Sequence, residues 1–260
     1  MSEFFLELFS EEIPAGLQKS AREKLLENFT NLFEKNNINF KNSFSYSVPN
    51  RLIIFFDGLP KHIVEKKTEI RGPSINAPDK AIEGFLRSNN LAKENIFKKN
   101  TEKGEFYFFN KPEKKYDTHD FLTDNISSVL DNINWKKSMK WADFNLNWAR
   151  PLKSILAIFR NKKIEFTYHH ILSSDFTFLD KEFEEKKKTF KNFSNYLNFF
   201  KKKGIIINHN DRKDFIKKEL FKLSDKKNLK IDIDEKLLQE VTDLVETPKI
   251  LSCKFDKKFL

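Results

Sequence analysis

The chain has 260 residues and a formal net charge of +10, with 39% hydrophobic and 14% aromatic residues. That apolar content suffices for one large domain or two to three small ones, and only 6 Gly and 8 Pro argue against a long disordered linker. The excess of Lys and Arg attracts polyanions such as RNA, DNA or acidic membrane, although joint richness in Lys, Asn, Ile and Phe is also what an AT-rich genome imposes.

Phe4 to Phe9 reads as a strand with apolar residues on both faces, hence central in a sheet. Glu11-Glu12-Ile13-Pro14 is expected to open a helix, with acids in its first turn and a stripe of Ala21, Leu25, Phe29, Leu32 and Phe33 running to about Asn36. Strands follow near Phe44 to Val48 and Leu52 to Phe56, joined by Pro49-Asn50. Arg71-Gly72-Pro73 reads as a loop, Asp79 as the cap of a short helix, and Phe106 to Phe109 as a strand. Leu122, Ile126, Val129, Leu130 and Ile133 mark a helix started at Asp117 or Thr118. A Trp- and Lys-rich stretch from Trp135 to Trp148 precedes an expected hairpin, Ile155 to Phe159 with Ile164 to Tyr168, turning at Arg160-Asn161-Lys162.

The Lys/Glu-dense segment 181–203 suggests a solvated helical face, and Ile205 to Ile207 a short buried strand. Asp211 and Asp234 each start a helix, the first carrying Phe215, Leu220 and Leu223, the second Leu237, Leu238, Val241, Leu244 and Val245. A last strand, Ile250 to Phe255, would hold Cys253 as a small buried hydrophobe, and the chain stops soon after it without a closing element, which reads as a truncation. The class expected is α+β, mixed sheets with packed helices in several small subdomains. The segments expected are a strand–helix–strand–strand unit at 1–67, a central α+β domain at 68–203 and a strand–helix–helix–strand segment at 204–260.

No phosphate-loop, dinucleotide or nucleophile-elbow motif appears, nor any Cys/His cluster for a metal. Glu11 and Glu12 find a structural use at a helix start, and His169 and His170 on a strand would point to opposite faces. Lys140 and Arg150 flank Trp141 and Trp148. Cations interleaved with aromatics hold phosphates and stack on bases, while the same pattern also packs Lys stems over Trp. The N-terminus lacks a basic region followed by an apolar one, and no run approaches the ~18 apolar residues of a membrane span.

Several blocks, in order, resemble the β subunit of the bacterial two-subunit glycine–tRNA ligase. Phe5-Leu6-Glu7-Leu8 running into Ser10-Glu11-Glu12-Ile13-Pro14 is similar to that family's opening, and Arg51 after Pro49-Asn50 to a second block. Lys67 to Pro73, Ala77 to Arg87, Lys103 to Tyr107, Trp135 to Trp141, Arg150 to Leu156, Leu237 to Pro248 and Lys254 to Leu260 continue the series. Lys136, Lys140, Ala142 and Lys153 stand where Pro, Arg, Gly and His are usual, and Asp180-Lys181-Glu182-Phe183 replaces a Gly-His-Arg-Phe block.

The resemblance implies a complete enzyme that attaches glycine to tRNA with ATP and magnesium, the active site lying on an α subunit in a cytoplasmic heterotetramer. This chain would then be the N-terminal region, giving tRNA binding and assembly, with no catalytic residue, metal ligand or cofactor of its own. Lys136, Lys137, Lys140, Trp141, Arg150 and Arg71 are the residues expected to meet RNA. The alternatives are a protein-interaction module without RNA binding, or an editing-type hydrolase drawing on isolated candidates such as His62, Glu12 and His209.

Overall fold

The computed structural model describes residues 2–65, 67–179, 186–253, 256 and 258. In chain order the elements are β1 (Phe4–Ser10), α1 (Ala15–Lys35), β2 (Asn42–Val48), β3 (Arg51–Asp57), β4 (His62–Glu65), β5 (Thr68–Ser74) and α2 (Asp79–Ser88). After a 3-10 turn come β6 (Phe97–Thr101), β7 (Gly104–Lys111), β8 (Lys114–Asp117), α3 (Thr118–Asp131), β9 (Leu152–Phe159) and β10 (Lys162–Lys163). The rest are β11 (Thr167–Tyr168), β12 (Ile171–Leu172), β13 (Phe176–Phe178), β14 (Lys187–Thr189), α4 (Phe193–Lys202), α5 (His209–Lys226) and α6 (Glu235–Leu244). The class is α+β, with antiparallel pairing between the named strands.

The chain divides into two compact units, Met1–Lys61 with Thr118–Leu260, and His62–Asp117. The consecutive segments expected from composition cut it elsewhere, and segment 68–203 straddles both units. The cause is a long-range pairing. β9 returns to the edge of β1, so the first unit is closed by residues far along the chain.

The sheet of that first unit has the order β10-β9-β1-β3-β2. β1 is central and buried along its whole length. Side chains alternate across a strand, so Phe4 meets Phe29 of α1 on one face and Phe5 meets Phe193 and Tyr196 of α4 on the other. On β3, Phe56 packs edge-on to Phe33 at 4.9 Å while Phe55 lies 4.8 Å from Phe193. Two Phe-rich layers thus sandwich one sheet.

The second face also buries charge. Glu7, Arg51 and Tyr196 are at most 1% exposed. Arg51 Nη1 lies 3.1 Å from Glu7 Oε1 and donates to Thr177 Oγ1 at 2.6 Å, and Nη2 donates to the Phe178 carbonyl at 2.6 Å. The Tyr196 hydroxyl donates to Glu7, and burial beside that carboxylate pushes the phenol well up. The guanidinium also sits over the rings of Phe9 and Phe200, at 4.4 and 4.9 Å.

Several expectations are corrected. Glu11 and Glu12 precede α1, because Ser10 and Glu11 donate backbone bonds to Asn50 and Pro151 and hold that segment in the loop until Pro14. Arg71-Gly72-Pro73 lies within β5, at a register shift on the edge of the β5-β7-β6 sheet. An edge bulge tolerates Pro, and a Cβ at Gly72 would come within 2.6 Å of the Phe85 ring, so the strand needs glycine there. Pro78, not Asp79, is the N-cap of α2.

The second arm of the expected hairpin is only β10. Tyr168 instead pairs back to Ile171, which puts His169 and His170 in an exposed turn. Segment 181–203 is not one helical face. Lys187–Thr189 is strand, α4 begins at Phe193, and residues 180–185 fall outside the described ones, the altered Asp180 to Phe183 block among them. Ile205 to Ile207 and 250–253 form no strand, and Cys253 is exposed. Lys254 and Phe255 are outside the described residues. Phe215 of α5 is 40% exposed, while the helix buries Arg212, Ile216 and Ser224 instead. Asp234 does cap α6, accepting from the amides of Lys236 and Leu237.

At the start of α5, burial, then Arg22, Arg212 and Lys19, push His209 down to about 4, and its ring meets Tyr46 edge-on at 6.1 Å. A histidine whose folded pKa is depressed takes its proton first in the unfolded chain, near 6.5. Its contribution to stability is therefore full above pH 6.5 and declines as pH falls towards 4. The thermal midpoint should drop across that window, and His209→Gln should flatten the drop. Parallel curves for the two proteins would show that His209 is not the group responsible.

Candidate nucleic-acid interface

The Trp/Lys stretch forms a loop closed on itself. Met139 and Trp148 make an antiparallel bridge, the Met139 amide donating to the Trp148 carbonyl at 2.8 Å and the Trp148 amide returning the bond at 3.2 Å. Trp148 is 1% exposed and is the floor of the loop, edge-on to Trp135 at 5.1 Å and to Tyr168 at 6.1 Å. The Tyr168 hydroxyl donates to Asp131 of α3 at 3.0 Å, and burial together with that carboxylate raises its pKa, so it stays a donor. The aromatic residues of this stretch thus divide. Two are floor, and Trp141 is half-buried near the rim.

The cations lie on the outside. Lys136, Lys137, Lys140 and Arg150 are all exposed. None of the four forms an ion pair with the described residues, and Asp143 is the one carboxylate in positions 135–150. Arg150 is steadied by its own neighbourhood, its Nη1 donating to the Ala149 carbonyl at 3.0 Å and touching Met139 Sδ at 4.0 Å. Four exposed cations against one carboxylate leave the loop with a positive excess, an imbalance that a polyanion relieves.

Five of the six expected residues therefore fall on one loop. The sixth, Arg71, lies on β5. It belongs to the second unit, where its guanidinium lies 3.5 Å over the Phe106 ring.

Sequence reasoning missed two members of the loop's surroundings. Phe144 stacks face to face on His170, ring centroids 3.5 Å apart and planes 6° apart, and Trp141 meets the same imidazole edge-on at 5.9 Å. The Trp141-to-Phe144 spacing was visible in the sequence, but His170 arrives from the β11–β12 turn, and no local pattern announces that meeting.

Elsewhere the chemistry is sparse. A groove of about 410 Å³ between α1 and α3 is lined by Lys24, Asn28, Asn31 and Asn132 among others, which are hydrogen-bonding rather than acid–base groups. His62 lies 3.8 Å from Asp117 in the second unit, whereas Glu12 and His209 belong to the first. Among the described residues no three His, Cys, Asp or Glu side chains are placed to hold a metal ion, and no helix is long and apolar enough to cross a membrane.

The fold and this surface define an α+β protein carrying a cation-and-aromatic loop on a buried Trp/Tyr floor. Comparison with known proteins gives the family. The family model of the glycyl-tRNA synthetase beta subunit matches residues 4–260, and the chain belongs to that family. It is 36% identical over 262 residues to the glycine–tRNA ligase beta subunit of Rickettsia felis and 37% identical over 260 residues to that of Rickettsia prowazekii. In both comparisons 100% of this chain is covered and 39% of the relative, so the chain spans about two-fifths of the length of these relatives.

Proposed function

We propose that this chain is the N-terminal region of a glycine–tRNA ligase β subunit, contributing tRNA binding and subunit assembly to the ATP-dependent attachment of glycine to tRNA. The observation that carries the reading is the set of four exposed cations, none ion-paired among the described residues, on one loop of a chain from this family. Each cation that neutralises a phosphate of a tRNA backbone releases condensed counterions. In this reading a separate α subunit completes the enzyme as a heterotetramer in the cytoplasm. ATP and magnesium serve the complete enzyme, and no residue of this chain is assigned to either.

The reading is tested by titrating tRNA onto the purified chain between 50 and 200 mM salt. Four phosphate contacts give a slope of log K against log salt near −3.6, or roughly a hundred-fold loss of affinity across that range. A flat salt dependence would count against phosphate recognition. Assembly is tested separately, by co-purification with the α subunit, and failure to co-purify would remove that half of the reading.

A further inference from the structure

We propose that Phe144, His170 and Trp141 form a stacking platform for an unpaired nucleobase of RNA. The inference rests on the reading that the 136–150 loop meets RNA, and it assigns that surface a preference for single-stranded over duplex segments.

The first support is ring geometry. Aromatic side chains in proteins favour offset or edge-on pairs, about 4.5–7 Å between centroids. Phe144 and His170 instead lie parallel at 3.5 Å, the separation of adjacent bases in a strand. The pair is not core: Phe144 is 39% exposed and His170 is exposed. Trp141, edge-on to His170, provides a wall beside the stack.

The second support is how the loop holds these rings. The Phe144 amide donates to the Trp141 carbonyl at 3.3 Å, closing a turn. Ala142 within that turn adopts a left-handed φ of 47°, which fixes the local course of the chain. Trp141 and Phe144 are therefore the two ends of a tight turn. The imidazole comes from a second turn, at the end of β11. Slight desolvation by the stacked rings and the neighbouring His169 lower the pKa of His170, which favours its neutral form.

The third support is the charge of the same loop. Lys140 adjoins Trp141 in the chain, and Lys136, Lys137 and Arg150 are exposed on the same loop. Sequence-tolerant single-strand recognition joins these two parts, cations that follow the backbone and ring faces that take the bases. A duplex offers phosphates but keeps its base faces stacked within the helix, so it satisfies the cations and not the rings.

The experiment uses the whole chain with two probes of one sequence, a single-stranded RNA containing 2-aminopurine and the corresponding blunt duplex. The native chain is expected to change the 2-aminopurine emission of the single strand on binding. Phe144→Leu with His170→Leu keeps apolar bulk but removes both planar faces. It should abolish that change and weaken single-strand affinity about five- to a hundred-fold, with duplex affinity held within about two-fold. Phe144→Tyr retains a ring face and should bind the single strand like the native chain, which separates loss of stacking from loss of folding. An unchanged emission response and affinity in the double variant would overturn the platform. If charge reversal at Lys136, Lys137 and Lys140 still abolished binding in that case, the loop would remain an RNA surface without stacking. If neither set of changes altered binding, the RNA reading would fall with the platform.

Discussion

Changing Lys136, Lys137, Lys140 and Arg150 together to Glu should weaken tRNA binding by about a hundred- to a thousand-fold near 0.1 M salt. The expectation follows from the environment of these four side chains. They are exposed and form no ion pair with the described residues. The free protein therefore has little reason to keep them, and surface substitutions of this kind usually change stability by less than about 0.5 kcal/mol each. In a complex each would neutralise one phosphate, and Glu adds repulsion to the lost attraction. The salt dependence should flatten as the affinity falls. Binding isotherms at several salt concentrations give both quantities, and circular dichroism checks that the fold is retained. Unchanged affinity and slope would identify the loop as a packing surface, with its Lys stems serving to cover Trp.

The second large effect concerns the interior. Arg51→Met should destabilise the first unit by about 3–5 kcal/mol, because it leaves Glu7 buried without its cation. It also removes the donors to Thr177 and to the Phe178 carbonyl. Those two acceptors belong to β13, and Tyr196, which donates to Glu7, belongs to α4, so the Arg51–Glu7 pair ties two further elements of the first unit to the sheet. A urea midpoint falling by 1 M or more is expected, given a typical slope of about 1–3 kcal/mol per molar. Replacing the pair together, Glu7→Leu with Arg51→Met, should cost less than the single change, since no charge is then stranded. Equal losses for single and double variants would show that the guanidinium acts by filling space and not by balancing charge.

Local physics made much of this fold readable. The strand at Phe4, the helix through Leu25 and Phe29, the two strands around Pro49-Asn50 and the Asp234 cap each depend on spacing or chemistry within a few residues. What escaped depends on distance along the chain. β4 and β8 pair across the whole second unit, and neither is long enough to show a period. The exposed face of α6, with Leu237 at 58% and Leu244 at 56%, looks like core in sequence because periodicity reports an apolar stripe without saying what covers it. The site divides in the same way. The lysines and Trp141 were legible as a run, whereas His170 joins Phe144 only through tertiary folding. Arg51 was visible as part of a motif, but its burial beside Glu7 required the register in which Phe9 faces Arg51.

The position of β1 bears on how the protein comes into being. Its one neighbour, β3, follows closely in the chain, but its other, β9, starts only at Leu152. At a ribosomal pace of about 5–20 residues per second, the Phe-lined strand waits roughly 7–30 s with one edge open after it has emerged. An open apolar edge is a template for pairing with other chains, so nascent polypeptides on one message would be vulnerable to aggregation during that interval. The inserted 62–117 unit adds to the delay, and shortening it should lower the demand for chaperones during synthesis.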